Sequence, residues 1–279
     1  MMYVPNHLTN GLFIVSDGRE RFLSSAYAWG KGWRYDPGCM SPCEQRARQT
    51  VKYFEEALKD AHRHEWSATQ QLLVIDNRRT LHGRAAVEEG DEDRLLHRVA
   101  FYTGGREVTA ADNDEEALWL KAKLFLNHAM DDDEPRTFDE QALWASLALE
   151  LLAKAALARV SPLLVASPTE DGTNLLIASG LVEGEGRFTS VKAHTLYSRC
   201  HKAFRPFSER EAQQITWARN EYLHGGAASF TAIPPNAWWP RYWAQAVILV
   251  NAQDKTLEEL VGPDRVPLVE KHLAQTRRI

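Results

Sequence analysis

Two stretches of this sequence place acid–base, cationic and amide side chains close enough to act together. The first is Ile215-Thr216-Trp217-Ala218-Arg219-Asn220-Glu221-Tyr222-Leu223-His224-Gly225-Gly226. Apolar spacing puts it at the C-terminal end of a helix, and the glycine pair ends that helix. Asn220 and His224 are four apart and share a face. Arg219 lies within about one and a half turns of His224. Such a group suits phosphodiester cleavage by a ribose hydroxyl. A histidine of near-neutral pKa exchanges the proton, an arginine stabilises charge on the phosphorane, and an asparagine orients one or the other. The purely structural alternative makes His224 a helix C-cap favoured by the macrodipole, with Arg219 paired to Glu221 or another surface acid.

The second stretch is Leu72-Leu73-Val74-Ile75-Asp76-Asn77-Arg78-Arg79-Thr80-Leu81-His82-Gly83-Arg84. An apolar run passes directly into a polar cluster, the pattern of a buried strand that ends in a functional rim. Leu95 to Tyr102 reads as a second strand that pairs with it as a hairpin. Gly11 to Gly18 reads as a short strand closed by a turn. Apolar residues at Val51, Phe54, Leu58 and Ala61 predict a helix over Glu44–His62, with Ser41 as its cap.

Beyond Gly104-Gly105 the pattern becomes helical. Helices are expected over Asn113–Met130, Gln141–Val160, Ser190–Phe204, Ser208–Leu223 and Trp238–Ala252. Helical character continues over Thr256–Thr276, interrupted at Gly262-Pro263. Glu150 and Lys154 support their helix as an i,i+4 pair, and Ser208 with Glu211 is in capping-box register. Short loops between successive helices favour an antiparallel bundle. The run Asp131-Asp132-Asp133-Glu134-Pro135 reads as a solvated break. Trp217, Trp238, Trp239 and Trp243 are of a type that stacks bases but read first as bundle core and rim. His194 and His201 are seven apart on one helix.

Composition sets outer limits. The chain has 279 residues, 44% apolar and 25% charged, with a net charge of −5. That excludes the broadly basic surface of a non-specific duplex binder. The first 136 residues hold 18 Lys and Arg against 23 Asp and Glu, and the remainder 15 of each, so a basic patch is left open in the second half. The three cysteines Cys39, Cys43 and Cys200 are no disulfide framework, and no second ligand pair at zinc spacing follows Cys39 and Cys43. No apolar run approaches the ~20 residues of a membrane span, and the N-terminus lacks the pattern of a signal peptide. A reduced, cytoplasmic protein is expected.

Asp76 to Arg84 resembles the C-terminal signature of the taurine dioxygenase/clavaminate synthase family of Fe(II)- and 2-oxoglutarate-dependent oxygenases. The resemblance extends to Asp93-Arg94-Leu95-Leu96-His97-Arg98-Val99 and to the loop Arg34-Tyr35-Asp36-Pro37-Gly38-Cys39-Met40, and covers residues 25–103. It implies a double-stranded β-helix, His82 as an iron ligand, Arg94 as the fork for the 2-oxoglutarate carboxylate, and Arg98 as its support. The family takes its other two ligands from His-x-Asp or His-x-Glu, and none of the ten histidines here is followed two positions later by Asp or Glu. With 81 residues ahead of His82, a β region truncated before that motif is expected. An oxygenase would then need a partner polypeptide to complete its iron site.

Arg219-Asn220-x-x-x-His224 is similar to the motif of the HEPN superfamily, small helical bundles that include many metal-independent RNases. The helix around Leu147–Ala155, with Glu150 inside an apolar stretch, is similar to the family's first long helix. The resemblance covers residues 137–255. It implies Arg219, Asn220 and His224 as the catalytic group, RNA or a nucleotide as ligand, and a homodimer through the helical domain.

Together these readings predict an α+β chain. Residues 1–104 form a partial double-stranded β-helix, jelly-roll-like. Residues 105–136 form a helical and acidic linker, and residues 137–279 an all-α HEPN-like bundle. The leading function is a metal-independent endoribonuclease that needs no cofactor. The rivals are an oxygenase using Fe(II) and 2-oxoglutarate, and a binding scaffold without turnover.

Overall fold

The computed structural model describes residues 4–16, 18, 21–28, 31–65, 73–76, 79–83, 114–131, 136–182, 188–217, 219, 222 and 232–276. The protein is α+β. A short helix α1 (Asn6–Asn10) leads into β1 (Leu12–Ser16), β2 (Arg21–Ser25), β3 (Tyr27–Ala28), β4 (Gly32–Trp33) and β5 (Met40–Pro42), followed by α2 (Gln45–Ala57). Strands β2, β1 and β5 form an antiparallel sheet with β1 in the centre, and β3 pairs with β4. Leu8, Phe13, Val15, Ala26, Met40, Ala47 and Phe54 close a small core between sheet and helix.

The expected strand at Gly11–Gly18 is β1. The helix expected over Glu44–His62 is α2, continued by a 3-10 turn over Leu58–Asp60. Its cap is Glu44 instead of Ser41, which lies in β5. The buried Glu44 carboxylate accepts from Arg46 N (2.8 Å) and Ala47 N (3.1 Å). It also accepts from Leu12 N (2.9 Å), so one side chain caps the helix and ties it to β1.

A double-stranded β-helix is not shown; among the described residues the sheets are the two given above. The strand expected at Leu72–Ile75 does not form over its described part. Residues 73–76 are irregular, Val74 is 83% exposed, and Arg79 N and Thr80 N both donate to Asp76 O in a turn. An apolar run becomes a strand only with a ladder to join and a face to bury, and residues 73–76 pair with neither β2 nor β5. Its expected partner, Leu95–Tyr102, lies outside the described residues.

The second half is helical: α3 (Glu115–Ala129), α4 (Phe138–Val160), α5 (Thr173–Ala178), α6 (Ala193–Ala203), α7 (Glu209–Thr216), α8 (Pro235–Asn251), α9 (Leu257–Val261) and α10 (Val266–Thr276). Thr137 with Glu140, and Thr256 with Glu259, close capping boxes at α4 and α9. Helix α4 runs through the middle, burying Ala142, Ala145, Ala148, Leu149, Leu152, Ala153 and Ala156. Helices α3, α6, α7 and α8 pack around it in one core. Helix α3, expected within a linker, is thus a member of the bundle. It buries two faces: Leu118, Ala122 and Leu126 serve the bundle, while Lys123 and Asn127 turn to the N-terminal unit. No described helix is long and apolar enough to cross a membrane.

Polar contacts join the two units. Arg46 of α2 donates to Val261 O (2.7 Å) and to both carboxylate oxygens of Asp264 (2.8 and 2.7 Å). Asn127 Nδ2 donates to Asn10 O (3.0 Å), and Lys123 Nζ to Thr9 O (3.3 Å). The α9–α10 turn meets this junction at Gly262, with φ 86° and ψ 153°. A Cβ there would stand 2.6 Å from Asn6 Oδ1 and 2.8 Å from Asp264 Oδ1. Gly262→Ala is therefore expected to destabilise the protein by about 3 kcal/mol, because that backbone region is essentially glycine-only. Gly180→Ala, also at positive φ but facing open space, is expected to cost about 1–2 kcal/mol. Urea unfolding midpoints check the order; equal losses would contradict it.

Candidate active site

The described part of the Arg219 cluster is built on α4. Glu150 and Lys154 are one turn apart, with Lys154 Nζ 3.1 Å from Glu150 Oε1. Arg219, just beyond α7, brings its guanidinium Nη1 onto Glu150 Oε2. All three side chains are largely enclosed, 16–19% exposed. A lone carboxylate at this depth would be costly. Two cations share it, and the triad carries a net charge of +1. Burial pushes the Glu150 carboxyl up, but the Arg219 hydrogen bond and the Lys154 charge outweigh it, so its pKa is lowered.

A phenol from α6 lies next to the triad, and a second, from α8, lies next to the first. Tyr197 of α6 and Tyr242 of α8 are fully buried, and among the described residues the Tyr242 hydroxyl has no hydrogen-bond partner. Burial, then the Glu150 charge, raises the Tyr197 pKa well above the usual phenol value; Thr216 and Arg219 lie near enough to act on it in the opposite sense. Tyr242 is raised by burial and by Tyr197. The Ser146 hydroxyl, one turn before Glu150 on α4, is likewise buried without a partner among the described residues. These hydroxyls were not apparent as site residues in the sequence. The signal available was polar atoms recurring within otherwise apolar helix stripes.

Asn220 and His224, expected beside Arg219, lie outside the described residues, as do Arg94 and Arg98. Glu221, considered as a partner for Arg219, lies outside the described residues; the acid that Arg219 meets among them is Glu150, 69 positions away. His194 lies 3.7 Å from Glu209, and His201 Nδ1 is 2.7 Å from Phe207 O, so both are engaged by α7 and the turn before it. Trp238 and Trp243 are fully buried core residues, whereas Trp217 is 81% exposed.

His82 is exposed and borders a cleft of about 300 Å³ that also involves Trp33, Tyr35, Asp36, Cys39 and Thr80. Two separate stretches of the oxygenase resemblance thus meet there. Among the described residues no three His, Cys, Asp or Glu side chains converge to hold a metal. The described part does not fit the two-histidine, one-carboxylate set that such an iron requires.

Comparison with models of known families, with curated proteins and with solved structures finds no match to this chain.

The lowered pKa of Glu150 has a measurable consequence. Its stabilisation is present above the ordinary carboxyl value of 4.5 and is lost as pH falls through the lower folded value. Glu150→Gln is expected to be less stable than wild type at pH 7, with a shallower loss of stability below about pH 4.5. Urea midpoints measured from pH 7 to pH 3 check this; parallel curves for the two proteins would contradict it.

Proposed function

We propose that the helical half is an RNA-directed module of HEPN-like type that cleaves RNA without a metal. The observation that carries this reading is the contact between Arg219 and Glu150. It fixes the motif arginine against the polar residue of the long central helix, on the same carboxylate as Lys154. Arginine presents five donors in a planar fork, so one N–H can bond Glu150 while others face a phosphate oxygen. The neighbouring Lys154 leaves the triad with surplus positive charge for that phosphate.

In this mechanism His224 accepts the proton of a ribose 2′-hydroxyl as that oxygen attacks phosphorus. Arg219 stabilises the extra charge of the phosphorane, and Asn220 orients the histidine or the phosphate. The 5′-oxygen leaves with the proton that His224 has taken up; the homodimer is part of this reading because the resemblance implies it. RNA cleavage in EDTA tests it. Wild type is expected to cleave, with losses on the order of 10²–10⁴-fold for His224→Ala and 10²–10³-fold for Arg219→Ala. Equal cleavage by wild type and His224→Ala, or none by a folded dimer, would sink the catalytic reading and leave a nucleotide-binding or scaffold role.

One observation favours a second reading. The His82 cleft joins two stretches that resemble the Fe(II)- and 2-oxoglutarate-dependent oxygenases. On that reading the N-terminal unit is an oxygenase part whose remaining ligands come from another polypeptide. The same preparation should then bind Fe(II) with such a partner and turn over 2-oxoglutarate, lost on His82→Ala; no iron uptake with or without the partner removes it.

A further inference from the structure

Lys123 has no role in either reading, yet it occupies the middle of the junction between the two units. It lies on α3 and is 6% exposed. Its Nζ donates to Thr9 O of the N-terminal unit at 3.3 Å. The charged groups acting on it come from every side: Arg46 of α2, Glu116 of α3 itself, Lys255 ahead of α9, and Glu259 of α9. Arg265, from the α9–α10 turn, donates to Asn127 Oδ1 at 3.1 Å, one turn along α3 from Lys123.

The two carboxylates are already engaged. Glu116 binds Lys255 at 3.0 Å, and Glu259 closes the capping box of α9. The Asp264 carboxylate is held by Arg46. Among the described residues, no carboxylate forms an ion pair with Lys123.

We propose that Lys123 makes this junction a protonation-dependent latch: the N-terminal unit docks firmly on the bundle through the neutral amine and loosens when that amine takes up a proton. The physical reason is the cost of an ammonium enclosed beside Arg46 and Lys255, with the Thr9 carbonyl as its acceptor among the described residues and the nearby Glu116 and Glu259 already engaged. Burial and Arg46 push the Lys123 pKa down from 10.5 to about 7 in the docked state. Undocking would return the amine to water and to its ordinary value. Between these two values the open form binds one proton more than the closed form. The closed form therefore gains as pH rises from 7 towards 10.5, and below 7 both forms are charged and the equilibrium is flat.

Hydrogen exchange on the full chain tests this, with the intrinsic pH dependence of amide exchange removed. Amides of α1 and the first turns of α2 report opening of the junction. In wild type their opening constant is expected to fall roughly fiftyfold between pH 7 and pH 9, and to change little between pH 6 and pH 7. Lys123→Met, close in length and uncharged, is expected to abolish the slope and to remain closed throughout. Lys123→Leu carries the same expectation should the methionine variant fold poorly. A flat wild-type profile overturns the proposal, as does the same slope in a folded Lys123→Met or Lys123→Leu protein.

Discussion

Helix α4 carries apolar side chains around most of its circumference, which obliges the rest of the bundle to surround it. Leu149 and Leu152 are fully buried, each contributing about 1.5–3 kcal/mol from lost exposure. The alanines before and after them, among them Ala145, Ala148, Ala153 and Ala156, admit the close approach of α3, α6, α7 and α8. Within that shell Glu150 and Lys154 are charged exceptions. A carboxylate so enclosed must find cations, because desolvation without compensation would cost several kcal/mol. The approach of Arg219 follows from that demand. The demand that α4 makes on its surroundings thus produces the candidate site: the chain beyond α7 is tied to α4 by charge, while α7 itself is held by burial of Ala212 and Ile215.

The N-terminal unit attaches by a different logic. It has its own small core, and its contacts with the bundle are dominated by arginine, lysine and asparagine. Buried polar contacts of this kind contribute little net stability against an apolar alternative, but removing one partner is costly. Arg46 shows why the arrangement is specific. One guanidinium meets a carbonyl and a carboxylate across the junction, both close to a turn that only glycine can make. Misplaced docking would leave those groups without partners.

Much of the fold was legible in the sequence because periodicity reports burial directly. The expected helices correspond to α2, α3, α4, α6, α7 and α8, and the break at Gly262-Pro263 separates α9 from α10. What periodicity could not show was which neighbour covers a face. Leu72–Ile75 has the composition of a strand, but its described residues have no ladder to join. Asn113–Met130 reads as a helix within the linker at residues 105–136, and periodicity gives no sign that its Lys123 and Asn127 are buried in contact with the N-terminal unit. Ser41 has the right type for a cap, yet Glu44 reaches three N–H groups at once. At the site, the Glu150–Lys154 pair was visible as a local spacing. Its partner Arg219, far along the chain, and the hydroxyls of Tyr197 and Tyr242 required the packed bundle. The placement of Asn220 and His224 beside Arg219 rests on sequence spacing alone.

The chemistry of the RNA ends tests the central claim most directly. Attack by a ribose 2′-hydroxyl, with Arg219 on the phosphate and no metal, leaves a 2′,3′-cyclic phosphate on one fragment and a 5′-hydroxyl on the other. Mass spectrometry of the products formed in EDTA is expected to find those two ends. Products ending in 3′-hydroxyl and 5′-phosphate, which require water as nucleophile, would contradict the account.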